Sequence, residues 1–171
     1  MMAPTCWSLP TDLVSASVEI MRSNGRRGHE GLALWFGRRN EVGKVSITHL
    51  VSVTGPGFVS APLQLRLSWR AMSRLTDLAD SLQLYMVGQI HSHPGTMVDL
   101  SPVDKELGIR CQDYLSAVCP FYAQKATDDI RGCGVHVFDG GAYRRLSLTE
   151  IARRTNVVGM GVEKIQLEVP A

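Results

Sequence analysis

The stretch from residue 91 to residue 104 is HSHPGTMVDLSPVD. It continues the apolar run LYMVGQIH, from Leu84 to His91, which is typical of a buried strand. Pro94 and Gly95 would end that strand. Residues 101–104 have the form of a helix start, with a capping serine, a proline in the first turn and an acid at the third position. The stretch therefore predicts a strand, a loop and a helix start at the rim of a sheet.

The two histidines of this stretch would share one face of the predicted strand. Successive side chains alternate, so His91 and His93 point the same way with Cα atoms roughly 6.5–7 Å apart. Two imidazoles at that separation can converge on one ion at Zn–N distances of ~2.0–2.1 Å, and Asp104 supplies a hard oxygen ligand near the positive end of a helix. Two histidines and one carboxylate leave a fourth position for water, which is the arrangement of a catalytic zinc.

Each of these residues also has a plain structural interpretation. An isolated H-x-H pair is more often part of the structure than a metal site. Asp104 could simply be an acid in the first turn of a helix, and Ser101 its N-cap. The metal interpretation becomes the stronger one only when His91, His93, Ser101 and Asp104 are considered together.

The whole string resembles the signature of the JAMM metalloproteases, the JAB1/MPN/Mov34 family, in which H-x-H is followed after a short gap by S-x-x-D. The motif occurs here without substitution. The resemblance implies one zinc ion, Zn²⁺, with His91, His93 and Asp104 as its ligands. It also implies that Ser101 helps to stabilise the oxyanion and that a glutamate far upstream acts as the general base.

Three glutamates precede the motif and are candidates for that base. Glu19 falls in a predicted amphipathic helix, on its solvated face, and Glu41 falls in a polar turn. Glu30 stands at the start of the buried run in GHEGLALWFG, where a carboxylate without a partner is costly. The family's glutamate also precedes a glycine-containing apolar strand of this type, so we expect Glu30 to be the base.

Length and composition predict one soluble domain. The chain has 171 residues, of which 44% are hydrophobic and 20% charged. We expect a single JAMM/MPN-type catalytic domain over residues 1–171, with its core at about 11–148. Helices alternate with strands of mixed direction, which indicates an α/β layered sandwich in which a mixed β-sheet is flanked by helices, as a JAB1/MPN-like fold would be. Trp35, Phe36 and Trp69 are candidates for the core or its edge. Two loops, at 55–67 and 120–131, could shape substrate choice.

Charge and cysteine content exclude several other classes. The formal net charge of +2 is too small to indicate a nucleic-acid-binding protein by itself. No apolar run approaches the ~18 residues that a membrane span needs. The N-terminal residues do not resemble a signal peptide, and the four cysteines include no C-x-x-C pair. We therefore expect a cytoplasmic protein whose reduced thiols pack as small apolar side chains, with no membrane partner.

The family resemblance implies a substrate class. It predicts a zinc metallopeptidase that cleaves after the C-terminal glycine of a ubiquitin-like protein, either removing it from a target or trimming its precursor. A small stand-alone domain with H-S-H-P looks most like the prokaryotic branch. There the partners would be a ubiquitin-like protein or its conjugate and an associated E1/E2-like system, including antiphage operons.

Two further functions are compatible with the motif. A RadC-like, DNA-associated protein shares a similar string and would give the arginine groups a purpose, but its loop is of an asparagine-containing HNHPSG type. A catalytically silent MPN scaffold typically lacks one or more ligands, and none is missing here. The remaining histidines, His29, His49 and His136, are predicted to be surface or hydrogen-bonded structural residues.

Overall fold

The computed structural model describes residues 5–40, 43–125 and 127–170. Over these ranges the chain forms a nine-stranded sheet, a separate two-stranded hairpin and four α-helices. The strands are β1 (Cys6–Pro10), β2 (Leu32–Arg39), β3 (Lys44–Thr54), β4 (Phe58–Ala61), β5 (Gln64–Leu67), β6 (Tyr85–Ser92), β7 (Leu115–Cys119), β8 (Gly134–Asp139), β9 (Ala142–Arg145), β10 (Thr155–Val158) and β11 (Glu163–Glu168). The helices are α1 (Leu13–Gly25), α2 (Trp69–Leu82), α3 (Pro102–Leu107) and α4 (Leu148–Arg154).

The large sheet contains both parallel and antiparallel pairs. Its strands lie in the order β10-β1-β3-β2-β6-β7-β8-β9, and β11 pairs with the second half of β3. Strand β2 runs antiparallel to both β3 and β6, whereas β6 and β7 are parallel. The predicted α/β class, a mixed sheet flanked by helices, is confirmed.

Helices on the two faces of the sheet bury two apolar clusters. Met21 of α1 and Trp35 of β2 belong to one cluster, and Phe36 of β2 and Leu75 of α2 belong to the other. The Trp35 indole N–H donates to Ser17 Oγ at 3.0 Å, which satisfies its one buried donor. Because neighbouring residues of β2 face opposite clusters, the strand is buried on both sides and its sequence is a continuous apolar run.

Two helices begin at a capping serine, and the one predicted at Ser101 is confirmed. Ser68 Oγ accepts a hydrogen bond from Ala71 N–H at 3.1 Å, and Ser101 Oγ accepts one from Asp104 N–H at 3.1 Å. Helix α1 begins at Leu13 and has no side-chain cap. Its start is set by burial of Leu13, which is fully enclosed in the core.

Two other expectations are wrong. Residues 55–67 do not form a plain loop, because β4 and β5 pair there as an antiparallel hairpin from Phe58↔Leu67 to Ala61↔Gln64. Trp69 is neither a core nor a core-edge residue: it is 76% exposed at the first position of α2, two residues before Ala71, with which the buried face of the helix begins. Strands β1 and β10, of five and four residues, lie beside each other and were not expected from the pattern.

The cysteines and helices bear on the predicted environment of the chain. The four cysteines form no disulfide bond with one another. Cys119 and Cys133 are buried as expected, but Cys111 is exposed, so the expectation of packed thiols is wrong there. Within the described ranges, every helix falls short of the length and apolarity needed to cross a membrane.

Candidate metal centre

The end of β6 presents the two histidines of the motif. His91 is 1% exposed and His93, the residue after the strand, is 8% exposed. The His93 N–H donates to Cys119 O at 2.9 Å, so the residue stays fixed to β7 beyond the end of its own strand. Strand alternation therefore brings both imidazoles to the same face, as the sequence predicted.

Asp104 is aimed at the histidines by the start of α3. The Ser101 N–H donates to Asp104 Oδ2 at 2.7 Å while Ser101 Oγ accepts from Asp104 N–H, which is a capping box. The cap turns the carboxylate back over the helix start. It leaves Oδ2 facing His91 and His93.

Three donor atoms converge at this point. Nε2 of His91 and Nε2 of His93 are 3.1 Å apart, and Asp104 Oδ2 lies 3.2 Å from His93 Nε2 and 3.6 Å from His91 Nε2. Ligands around one tetrahedral zinc with bonds of ~2.0–2.1 Å are about 3.3 Å apart. The three residues therefore fit a single ion, with a fourth position open. In the part of the chain that the structure describes, they are the one group of three or more histidine, cysteine, aspartate or glutamate side chains gathered closely enough to share a metal.

Hydrogen bonding around the site orients His93. Its Nδ1 lies 3.1 Å from the carbonyl oxygen of Met97, which can only accept, so Nδ1 carries a proton. In the neutral imidazole Nε2 is then the nitrogen with the free lone pair for a metal, and in the protonated imidazole Nε2 donates to Asp104 Oδ2 at 3.2 Å. Nδ1 of His91 is buried and has no hydrogen-bond partner among the described residues.

The charges of the site support one another. Burial raises the pKa of Asp104, but hydrogen bonds from His91, His93 and Ser101 outweigh it and hold that pKa well below its usual range. Burial lowers the pKa of His93, yet the hydrogen bond and the Coulombic attraction from Asp104 raise it overall. Asp104 is therefore a carboxylate at neutral pH, as a metal ligand must be.

Glu30 lies beside this centre, two residues before the start of β2. Its residue is 5% exposed, its N–H donates to Ala61 O at 3.0 Å, and its carbonyl accepts from Ser60 Oγ at 2.7 Å. Burial raises the pKa of Glu30 to about 7, against the opposing attraction of His93. A carboxylate that exchanges its proton near neutral pH suits a general base or acid.

The other candidates for the base do not reach this position. Glu19 is exposed on α1 and pairs with Arg22 at 3.1 Å. Glu41 lies outside the described residues.

The remaining histidines lie away from the three donor atoms. His49 Nε2 pairs with Glu163 at 3.0 Å, and His136 is buried with its Nε2 3.6 Å from Asp99. His29 lies on the wall of a groove of about 760 Å³ between α1, β3 and β11, together with Ser60. The groove includes His29, which precedes Glu30 in the chain, and Ser60, which donates to the Glu30 carbonyl. Glu30 itself and the three donor residues are not among its lining residues.

A feature that sequence reasoning missed follows β7. Phe121, Tyr122 and Ala123 have φ angles of 56°, 52° and 57°, and so form a left-handed turn. The Tyr122 N–H donates to His93 O at 2.7 Å. Because all three residues carry a Cβ, nothing in the sequence signals this conformation.

Comparisons with known proteins agree with the chemistry of the site. No family model matches the chain. It is 29% identical over 121 residues to "Probable metalloprotease y4jG" of Sinorhizobium fredii, an alignment that covers 71% of this chain and 75% of the relative.

Two solved structures are similar to the chain, and the first of them shares its fold. The solution structure of protein DSY2949 from Desulfitobacterium hafniense matches with a TM-score of 0.61 and 16% identity, over 95% of this chain and 93% of that one. AF2198, a JAB1/MPN domain protein from Archaeoglobus fulgidus, matches with a TM-score of 0.46 and 15% identity, over 91% of this chain and 98% of that one.

Proposed function

We propose that this chain is a zinc-dependent isopeptidase or peptidase that cleaves after the C-terminal glycine of a ubiquitin-like protein. Its motif, its metal-ligand geometry and its metalloprotease relative support the JAMM/MPN metalloprotease family. The observation that carries the metallopeptidase part is the convergence of His91 Nε2, His93 Nε2 and Asp104 Oδ2 beside the buried Glu30. Two histidines and one carboxylate favour zinc among the common metals.

The residues around the site divide the work of amide hydrolysis. A zinc ion bound there would act as a Lewis acid and lower the pKa of a coordinated water towards ~7. Glu30 accepts the proton of the attacking water and later passes it to the leaving amine. The Ser101 hydroxyl uses a lone pair in its cap to Asp104 N–H, which leaves its own proton free for the developing oxyanion.

The substrate part of the proposal rests on the family resemblance and on the groove next to Glu30. The groove is open, about 760 Å³ in volume, and runs from His29 and Ser60 along α1. An extended peptide tail is the shape of ligand that such a groove accommodates. We infer that the conjugate is made by an associated E1/E2-like system, and that an antiphage operon is one setting in which such a system would occur.

The test starts with the metal. The purified chain is expected to hold about one equivalent of zinc by mass spectrometry. His91→Ala should lose it, while His49→Gln, a histidine paired with Glu163 outside the site, should retain it. Full zinc content in His91→Ala would contradict the ligand assignment.

The second stage tests the substrate. A ubiquitin-like protein extended beyond its terminal glycine should be cut after that glycine by the zinc-loaded chain and not by His91→Ala. A free peptide with the same glycine junction separates the two levels of the proposal. Equal cleavage of that peptide would leave a metallopeptidase but overturn ubiquitin-like specificity.

A further inference from the structure

The left-handed turn after β7 is held in place by the segment that directly follows β6, which includes His93. Phe121 N–H donates to Gly95 O at 3.0 Å, and Tyr122 N–H donates to His93 O at 2.7 Å. The His93 N–H in turn donates to Cys119 O. Three consecutive residues with a Cβ keep a left-handed conformation only where such bonds impose it, and conformations of this kind cluster at functional sites.

The side chain of Tyr122 reaches across to a different element. Its hydroxyl donates to Pro62 O at 3.0 Å, at the tip of the hairpin formed by β4 and β5. The described residues of that hairpin pair with each other and not with the large sheet, and Leu63 beside Pro62 is 79% exposed. The tyrosine hydroxyl therefore connects the tip of the β4–β5 hairpin to the left-handed turn beside His93.

The same hairpin forms hydrogen bonds with both the backbone N–H and the backbone carbonyl of Glu30. Ala61 O accepts the Glu30 N–H, and Ser60 Oγ donates to the Glu30 carbonyl. A continuous path of hydrogen bonds thus runs from His93 through Tyr122 and the hairpin to Glu30. Both backbone hydrogen bonds of Glu30 thus go to the hairpin, whereas those of its neighbour Gly31 go to Ser92 of β6.

We propose that Tyr122 is a positioning residue that holds Glu30 at a fixed place relative to His93 by fastening the β4–β5 hairpin through Pro62. The expected effect on turnover rests on the proposed function, whereas the expected effect on the position of Glu30 does not. Since a misplacement of 1 Å can cost roughly 10²-fold in rate, loosening one hydrogen bond in this path should slow turnover by roughly 10-fold.

The experiment compares Tyr122→Phe, which removes only the hydroxyl, with Tyr122→Gly, which also removes the strain of the left-handed turn. Tyr85→Phe, at an exposed position of β6, is the matched control. In the metal-free protein, NMR hydrogen exchange at the Glu30 amide and in the hairpin should speed up several-fold in both Tyr122 variants. Exchange in β7 and β8 should not change.

In the zinc-loaded enzyme, Tyr122→Phe should lower kcat roughly 10-fold with little change in KM or zinc content. Unchanged exchange at Glu30 in Tyr122→Phe overturns the inference, as does a lower kcat that Tyr85→Phe reproduces. If exchange at Glu30 rises but the wild-type chain cuts no ubiquitin-like protein, the positioning role stands and the proposed function fails.

Discussion

The antiparallel register of β2 and β6 sets Glu30 opposite His93. Leu32 pairs with His91, Ser92 N–H donates to Gly31 O at 3.0 Å, and the next position on each chain holds the glutamate and the second histidine. Directly opposed residues of a sheet share a face, so the carboxylate and the imidazole belong to one site. The pairing of β2 with β6 thus brings Glu30 next to the histidines, although 61 residues separate Glu30 from His91 in the sequence.

Glu30→Gln should retain zinc and lose turnover. The amide keeps the size and the backbone bonds of the residue but cannot accept a proton, and general acid–base catalysis typically contributes ~10²–10⁴-fold. Steady-state cleavage and metal content measured on the same sample test this. Glu19→Gln, which changes an exposed glutamate of α1, should match the wild type. Wild-type turnover in Glu30→Gln would remove Glu30 from the mechanism.

The metal-free protein should lose stability as the pH rises from about 4.5 to about 7. Burial raises the pKa of Glu30 to about 7 from 4.5 in the unfolded chain, so the folded state binds the proton more tightly. The stability from this residue is complete below the unfolded pKa and is lost as the pH passes through the folded one, by on the order of 3 kcal/mol. Urea unfolding at pH 5 and pH 8 measures the difference, which Glu30→Gln should reduce. A wild-type profile in that variant would contradict the burial argument.

Zinc affinity should fall as the medium becomes acidic. Asp104 raises the pKa of His93 despite its burial, and a protonated imidazole cannot bind a metal. Below that pKa each unit of pH should weaken binding by up to roughly tenfold for one displaced proton. Competition with a chromophoric chelator between pH 5.5 and pH 7.5 gives the slope. Affinity that is independent of pH over this range would mean that no proton leaves on binding.

Ser101→Ala should separate the two uses of one hydroxyl. Losing the cap should cost about 1 kcal/mol, and losing an oxyanion donor should cost ~10²–10³-fold in kcat. Ser147 starts α4 with the same capping box, through Glu150, and is therefore the matched control. Ser147→Ala should show the loss of stability by thermal unfolding without the loss of rate. Equal effects on rate in the two variants would reduce Ser101 to a cap.

Local rules account for most of what the sequence predicted. Strand alternation aligned His91 with His93, the capping signal located α3, and the cost of a buried carboxylate singled out Glu30. The missed features depend on distant contacts. Tyr122 takes a left-handed conformation because His93 and Gly95 accept its turn's amides, and the hairpin at 58–67 forms because its apolar residues pack on the α2 cluster. Neither contact can be predicted from the pattern of neighbouring residues in the sequence.

The oxygen of Asp104 that faces the two histidines is the oxygen that accepts the Ser101 N–H. The three-residue step between Ser101 and Asp104 is therefore the spacing of a capping box, from the N-cap residue to the third residue of the helix. Grafting this centre onto another scaffold would need the whole first turn of α3, because a carboxylate placed on any other backbone would lose the tether that aims it.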